Sequence, residues 1–467
     1  MAMTISNTNT LSLLNILNKT ASAQESVLHR MATGKKINTG ADDPAGLLAL
    51  TKLNSQLTAV DAGISNNQRT DAMLSVADSS LTQIGSLMGD ITRLANQTAN
   101  DAALTSDEIA ANQSQIDDAL SSIDRIVGST NFNGKNLIDG SLGINYSVAD
   151  ATKVSDVKVY SRKAGTDDAT LTVNLTSAAE NAAVSGILTG TSTHTRNFMV
   201  QGLLGTAVIS VASSEAVSSV VAKVNAAANQ TGVSATYVSA STQMDLTSMA
   251  AGSSAFVRTK LIDGAGVAEK NARGTDAVVT VDGQKAAVDG NHVNFSGNGI
   301  SLSFENAMTT AGSTTISIYG DGTSGRSGAT FSLGTDGEAL ATLGIDGLYT
   351  AQLGNQTDGY LKSLASGGAN SLLSNPTQAA TIARAAAKQV ATVQGRIGGF
   401  QKFQVRTAVD ALNNNKEGLS KVQSVINDVD YAAESAELNR QNVLLQSAMS
   451  LLSLANQQST QVLALLK

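Results

Sequence analysis

Leu438, Leu445, Leu452 and Leu466 share one heptad position, interrupted only by Ser459, and Gln441, Ala448, Ala455 and Val462 follow three residues behind. Leucines at one heptad position and small residues at the other make a seam along which a helix packs closely on a neighbour. A second row, Leu444, Leu451 and Leu465, runs beside the first, and Val443, Met449, Leu454 and Leu463 lie further round. A helix apolar over that much of its circumference is not a surface helix and must be covered on several sides.

The opposite end of the chain repeats the pattern. Leu14, Leu17, Ala21, Gln24, Leu28 and Met31 step alternately by three and four residues, which predicts a helix over 4–33 with an a/d seam. Gly34 is placed to stop it. Asp42 and Asp43 precede Pro44, and Asn375 precedes Pro376; these are the only two prolines, and both mark helix starts, with carboxylates at the first helical turn of the former. From Pro44 a long helix runs to about Asn100, and another runs from Thr105 or Ser106 to Val127, where Ser106, Asp107 and Glu108 provide a cap. A helix from Pro376 carries apolar residues through to Val429, with Gly398 and Gly399 positioned to bend it.

Between about 150 and 370 the period changes to alternation. Thr170–Leu175, Ala277–Val281, Ile300–Phe304 and Ile316–Tyr319 read as strands. One helix interrupts them, with Val217, Val220, Val221 and Val224 on one face, Ser214 as its cap and Gly232 at its end. Residues 137–148 read as a short hairpin. The fold class is therefore α+β: paired, coiled-coil-like long helices from the two ends, with a central β-rich insertion of one or two small domains. The expected divisions are 1–46 with 427–467, 47–165 with 330–426 and 166–329.

Composition excludes much chemistry. The 467 residues contain no Cys and no Trp, 3 His, and a net charge of −7, which removes thiol and disulfide chemistry and argues against nucleic acid as a partner. No apolar run is long enough to span a membrane, and the first residues carry no basic lead before their apolar ones, so a cleaved secretory signal is not expected. His29, His194 and His292 are scattered, and no pair of histidines four apart flanks a Glu, so neither a metal nor a catalytic site is expected. Two apolar ends that each need partners can pair with one another, and the remaining apolar surface must meet other copies; Leu14, Leu17, Leu28, Met31, Leu438, Leu445, Leu452, Val462 and Leu466 are the expected subunit-interface residues. A head-to-tail contact that does not close generates a helical filament.

The residues also carry a family resemblance. Thr33-Gly34-Lys35-Lys36-Ile37-Asn38, Ala41-Asp42-Asp43-Pro44-Ala45-Gly46, Gln68 to Leu74, Leu94 to Asn100 and Asn131-Phe132-Asn133-Gly134 lie in the first third. Asn427-Asp428-Val429-Asp430-Tyr431-Ala432, Ala455-Asn456-Gln457 and Val462 to Leu466 lie at the end. In order and at both ends, they resemble bacterial flagellin over roughly half of the chain. The resemblance implies a subunit exported unfolded by the flagellar type III apparatus without a cleaved signal. It implies assembly with identical subunits into an extracellular filament, with paired terminal helices as an inner tube, the next helices as an outer tube and central domains facing the medium. The implied partners are the flagellar cap, hook-associated proteins and an export chaperone; no cofactor is implied. Residues 197–260 are similar to small insertion modules of some flagellins and hook-associated proteins. Asp90 and Ser114 replace the Arg and Glu common in the segment that a toll-like innate receptor reads, and Phe403 and Val425 replace common Arg residues. A hook–filament junction protein shares such helical ends, and an added adhesive or glycan-binding role of the central domains is a further reading.

Overall fold

Pro44, at the first turn of the longest helix, shows how local chemistry sets the element boundaries. In a computed structural model, which describes residues 8–99, 104–165, 167–189, 194–264, 266–320, 327–336 and 339–465, that helix begins where two acidic side chains divide the work. Asp43 Oδ1 accepts from the amides of Ala45 (3.1 Å) and Gly46 (2.9 Å), while Asp42 Oδ2 accepts from those of Asn38 (3.0 Å) and Thr39 (2.8 Å) and shapes the preceding turn. These amide bonds, Thr39 first, hold the Asp42 carboxyl below its usual range. Side chains are described for all of these residues except 8, 9, 189 and 458–465.

The helices are α1 (Thr8–Thr33), α2 (Pro44–Thr98), α3 (Ser106–Ser129), α4 (Val217–Ala226), α5 (Ala228–Thr231), α6 (Pro376–Phe400), α7 (Arg406–Asn427) and α8 (Tyr431–Leu465). Thr105, rather than Ser106, caps α3: its hydroxyl accepts from the Glu108 amide and the Glu108 carboxylate accepts from the Thr105 amide at 2.7 Å, a reciprocal capping box. Asn375 caps α6 by accepting from the Gln378 amide at 3.2 Å, with Pro376 in the first turn. No side chain caps α4; Ser214 sits at φ 66 two residues ahead of its N-cap, Ala216, and Glu215 instead accepts from the Ala212 amide at 2.8 Å. α6 runs through Gly398 and Gly399, where a bend was expected, and passes into a π-helical turn over Gln401–Val405.

The chain forms two compact units, residues 1–66 with 408–467 and residues 67–407. The second unit holds three separate apolar cores. The first core is helical. Leu74, Leu81, Ile84, Met88 and Ile91 of α2, Ile116, Leu120, Ile123 and Val127 of α3, and Ile382, Val390, Val393 and Ile397 of α6 close on one another, joined by Phe331, Leu343, Ile345 and Leu348 from the returning chain. Their recurrence at three- and four-residue steps is what makes these segments amphipathic. Buried Gln113 is satisfied at both ends of its amide, donating to Leu364 O and accepting from the Leu372 amide, each at 2.8 Å.

The second core lies in a β module, called here the host module. Its five-stranded antiparallel sheet runs Gln284–Lys285, Val278–Val281, Ala169–Ser177, Gly312–Ile318, Tyr146–Val148, and its four-stranded sheet runs Ala287–Asp289, His292–Gly297, Ile300–Asn306, Val154–Ser161. Alternate residues of both sheets, among them Val173, Leu175, Val279, Phe295, Leu302, Phe304 and Ile316, fill it. The expected hairpin over 137–148 is not formed. A two-residue hairpin at Asn131–Phe132 and Lys135–Asn136 precedes it, and Tyr146–Val148 joins the edge of the five-stranded sheet, since its alternating side chains find a partner strand there.

The third core belongs to a module inserted into the host between Ser177 and Val278. It has a three-stranded sheet (Asn181–Thr189, Gln243–Ala251, Val233–Val238), a four-stranded sheet (Asn271–Arg273, Phe256–Asp263, Arg196–Gln201, Thr206–Val211) and α4. Phe198, Val211, Val220, Val224, Met244 and Leu246 meet inside it. The helix expected to run to Gly232 ends at Ala226, and Gly232, in the left-handed region at φ 74, instead ends the short α5.

Candidate assembly surface

The first unit is organised differently from the cores above. Among the described residues, none of the three apolar cores takes a side chain from it. Its framework is an antiparallel pair, α1 against α8. Polar contacts fix the register: Gln24 Nε2 donates to Asn442 Oδ1 at 2.8 Å, Arg30 pairs with Glu434 at 2.8 Å, and Tyr431 Oη donates to the Met31 carbonyl at 3.2 Å. The turns that follow α1 and precede α8 are tied by backbone. Lys36 N donates to Asn427 O at 2.6 Å and Val429 N to Gly34 O at 3.1 Å, with Gly34 at φ 68. The Lys35–Lys36 turn thus has an intramolecular role through its main chain. Glu437 is held below the usual carboxylate range, chiefly by its bond from Arg440 and then by one from Gln441.

The expected seam on α8 faces α1. Leu438, Leu445 and Leu452 are half-buried there, and Gln441 and Ala448, the second heptad position, are buried. On α1 the inward row is Leu13, Leu17, Thr20, Gln24, Val27 and Met31, with Val27 and Thr20 buried. Of the expected seam, Leu17, Gln24 and Met31 lie on this inward row, but Leu14, Ala21 and Leu28 stand one residue off the row and remain exposed. Both rows satisfy a heptad spacing. The chain uses one for its own α8, because the Gln24–Asn442 and Arg30–Glu434 pairs need those residues on that side, and the Thr20 hydroxyl is satisfied by Ile16 O at 2.9 Å.

Large apolar side chains therefore stay uncovered on both helices, with polar positions such as Asn18, Glu25 and Ser447 between them. On α1 they comprise Leu11, Leu14, Ile16 and Leu28, and on α8 Val443, Leu444, Met449, Leu451 and Leu454, each with 39–63% of its surface open. Met449 and Leu454 also line a shallow concavity on α8 with Gln446, Ser450, Ser453 and Gln457. Val462 lies within α8 but beyond the described side chains, and Leu466 lies outside the described residues. In the same unit α2 and α7 are joined by Lys416–Asp61 (2.7 Å) and Gln423–Asn54 (2.7 Å) over buried Leu50, Val60 and Leu412, while Val425 has 83% of its surface open. A folded chain seldom leaves so many large apolar side chains in rows unless another surface covers them.

Among the described residues no three His, Cys, Asp or Glu side chains converge as metal ligands, and no helix is long and apolar enough to cross a membrane. His29 is exposed on α1, and His292 pairs with Glu305 across neighbouring strands at 2.7 Å. Elsewhere, Asp90 forms an exposed ion pair with Arg93 at 3.4 Å, Ser114 is exposed on α3, and Phe403 in the π-helical turn has 69% of its surface open. The polar pairs between α1 and α8 and the backbone tie were missed in the sequence; the only sequence signal for the former was Gln24 interrupting an otherwise apolar seam.

Comparison with known proteins bears on both ends. Residues 5–142 match the family model for the bacterial flagellin N-terminal helical region, and residues 380–466 that for the C-terminal helical region. Residues 198–249, in the inserted module, match the flagellin hook IN motif. The chain is 27% identical to a flagellin of Salmonella rubislaw and 28% identical to one of Salmonella typhimurium, covering 99% of both chains in each case. Among solved structures, a flagellar hook associated protein-3 from Legionella pneumophila aligns over 84% of this chain and 99% of its own, at 10% identity and a TM-score of 0.28, too low for a shared overall arrangement to be argued.

Proposed function

The chain belongs to the flagellin family, and from that premise we propose that it is the self-assembling subunit of a flagellar filament that drives swimming. The observation that carries the reading is the pair of uncovered apolar rows on α1 and α8, which the chain's own fold does not bury. In the filament these rows meet other copies, and covering the roughly half of each leucine still open contributes about 0.7–1.5 kcal/mol. The role is structural, with no catalytic step.

Export in an unfolded state by the flagellar type III apparatus fits a chain without cysteines, since no disulfide has to form or break on the way. Until assembly the apolar rows need protection, which suits an export chaperone holding the last helix. The cap and the hook-associated proteins are the expected neighbours at the ends of an extracellular filament. In this proposal residues 1–46 with 427–467 form the innermost layer, 47–165 with 330–426 the next, and 166–329 the surface.

A chain that ends at Glu437, lacking Leu438 to Lys467, tests the reading. It is expected to stay monomeric at concentrations where the full chain polymerises, with the strand signal of its circular dichroism intact. Filaments of the shortened chain in electron micrographs would remove the basis of the proposal.

A further inference from the structure

The passage between the host and inserted β modules is built as a lock, not as a pair of flexible linkers. The chain leaves the host after Ser177 and returns before Val278. At the crossing Glu180 and Thr275 exchange both backbone bonds, at 2.9 and 3.1 Å. Two strands joined in this way still bend and twist about their common axis. A third contact, off that axis, removes this freedom. The turn after strand Gln243–Ala251 of the inserted module seats on the host. Gly252 N donates to Glu180 O at 3.1 Å, and Ser253 donates to Asp276 through its amide (2.7 Å) and its hydroxyl (2.6 Å). Asp276 also accepts from the Gly290 amide of the host turn at 2.8 Å, and Ser254 Oγ donates to Asp289 Oδ1 at 3.0 Å.

The backbones approach here more closely than side chains allow. A Cβ on Gly274 would lie 2.3 Å from Glu180 O and 2.6 Å from Gly252 O. One on Gly252, at φ 110, would lie 2.5 Å from Gly290 Cα, and one on Gly290, at φ 65, 2.6 Å from Ala251 O. Three glycines, far apart in sequence, are needed in one place because backbone meets backbone.

We propose that Glu180–Thr275, Ser253–Asp276 and the Gly252–Gly290 contact form a three-point clasp that holds the inserted module on the host as one rigid body, with Asp276 as its pin. The clasp sets the orientation in which the inserted module's exposed sheet face is presented, whatever that face meets. The inference does not depend on the assembly proposal, because every residue in it lies within residues 67–407.

The absence of native cysteines allows a direct test on the full chain. Spin labels on Thr176→Cys in the host and Ser210→Cys in the inserted module, both exposed positions, report the distance between modules by pulsed electron spin resonance. The parent is expected to give a single narrow distribution. Asp276→Ala, which introduces no clash, is expected to broaden it at least twofold, and Gly274→Val more. If Gly274→Val fails to fold, Asp276→Ala and Ser253→Ala carry the test alone, with thermal melting showing that both modules remain folded. A broad distribution in the parent overturns the clasp, and so does a distribution unchanged by both Asp276→Ala and Ser253→Ala.

Discussion

Replacing Leu444 and Leu451 together by Asp is expected to abolish polymerisation while the free chain melts within about 2 °C of the parent. Both side chains lie on the outer row of α8, with 43% and 53% of their surface open, so a charge there disturbs little of the single chain. In the proposed filament the same positions are covered by other copies. With about half of each side chain already covered in the free chain, losing the two leucines from each contact removes about 1.5–3 kcal/mol, and a stranded carboxylate adds a desolvation penalty. At about 1.4 kcal/mol per factor of ten, the critical concentration rises by at least about 10–10²-fold. Light scattering and electron microscopy measure the first effect and calorimetry the second. The inner row gives the contrast. Asp at Leu445 and Leu452 strikes the α1–α8 seam, so those variants lose helical signal in the free chain as well. Normal filaments from the Leu444→Asp, Leu451→Asp chain would mean that this row is not covered on assembly.

The second large effect is on stability, in the host module. Phe304→Ala is expected to cost about 3–5 kcal/mol, the range for truncating a fully buried aromatic side chain. Phe304 is fully buried on strand Ile300–Asn306, opposite Val293, in the core that also holds Phe295 and Leu302. Because the helical core has its own side chains, the loss falls on the β transition in urea, followed by the tyrosine signal, with the helical transition in far-ultraviolet circular dichroism moving less. A shift equivalent to under 1 kcal/mol would show that the cavity is not formed and that the core is packed differently.

Periodicity read from the sequence found the long helices and four strands of the host module, because those patterns depend on near neighbours, but named none of the strands of the inserted module. Leu74, Leu81, Ile84 and Ile91 are a seam by spacing alone, and they are buried as that spacing requires. Spacing could not choose between the two rows of α1. Leu14, Ala21 and Leu28 fit the same heptad as Leu13, Thr20 and Val27, and the choice rests on partners more than four hundred residues away, Asn442 and Glu434. The choice reverses the meaning of the α1 residues: Leu17 and Met31 face α8 of the same chain, whereas Leu14 and Leu28 are left for a different contact. Strand pairing was out of reach for a similar reason. Tyr146–Val148 pairs with Gly312–Ile318, about 170 residues on, and alternation says which residues share a face but not which strand lies beside it. Caps depend on one or two atoms, so Thr105 and Ser106 exchange roles. The clasp glycines carry no pattern because each answers to a different segment.

The proposed filament role requires the helices of residues 1–66 with 408–467 to be completed by other copies of the chain. Hydrogen exchange of the α1 and α8 amides, in the dilute free chain and in polymerised material, tests this most directly. With little apolar burial of its own, the unit is predicted to open readily in the free chain, at a small fraction of the free energy that protects α2 and α3 around Leu81 and Ile123. On polymerisation its exchange is predicted to slow by at least about 100-fold, as buried amides do. Amides of α1 and α8 protected in the free chain as strongly as those of α2 and α3, and unchanged on polymerisation, would contradict it.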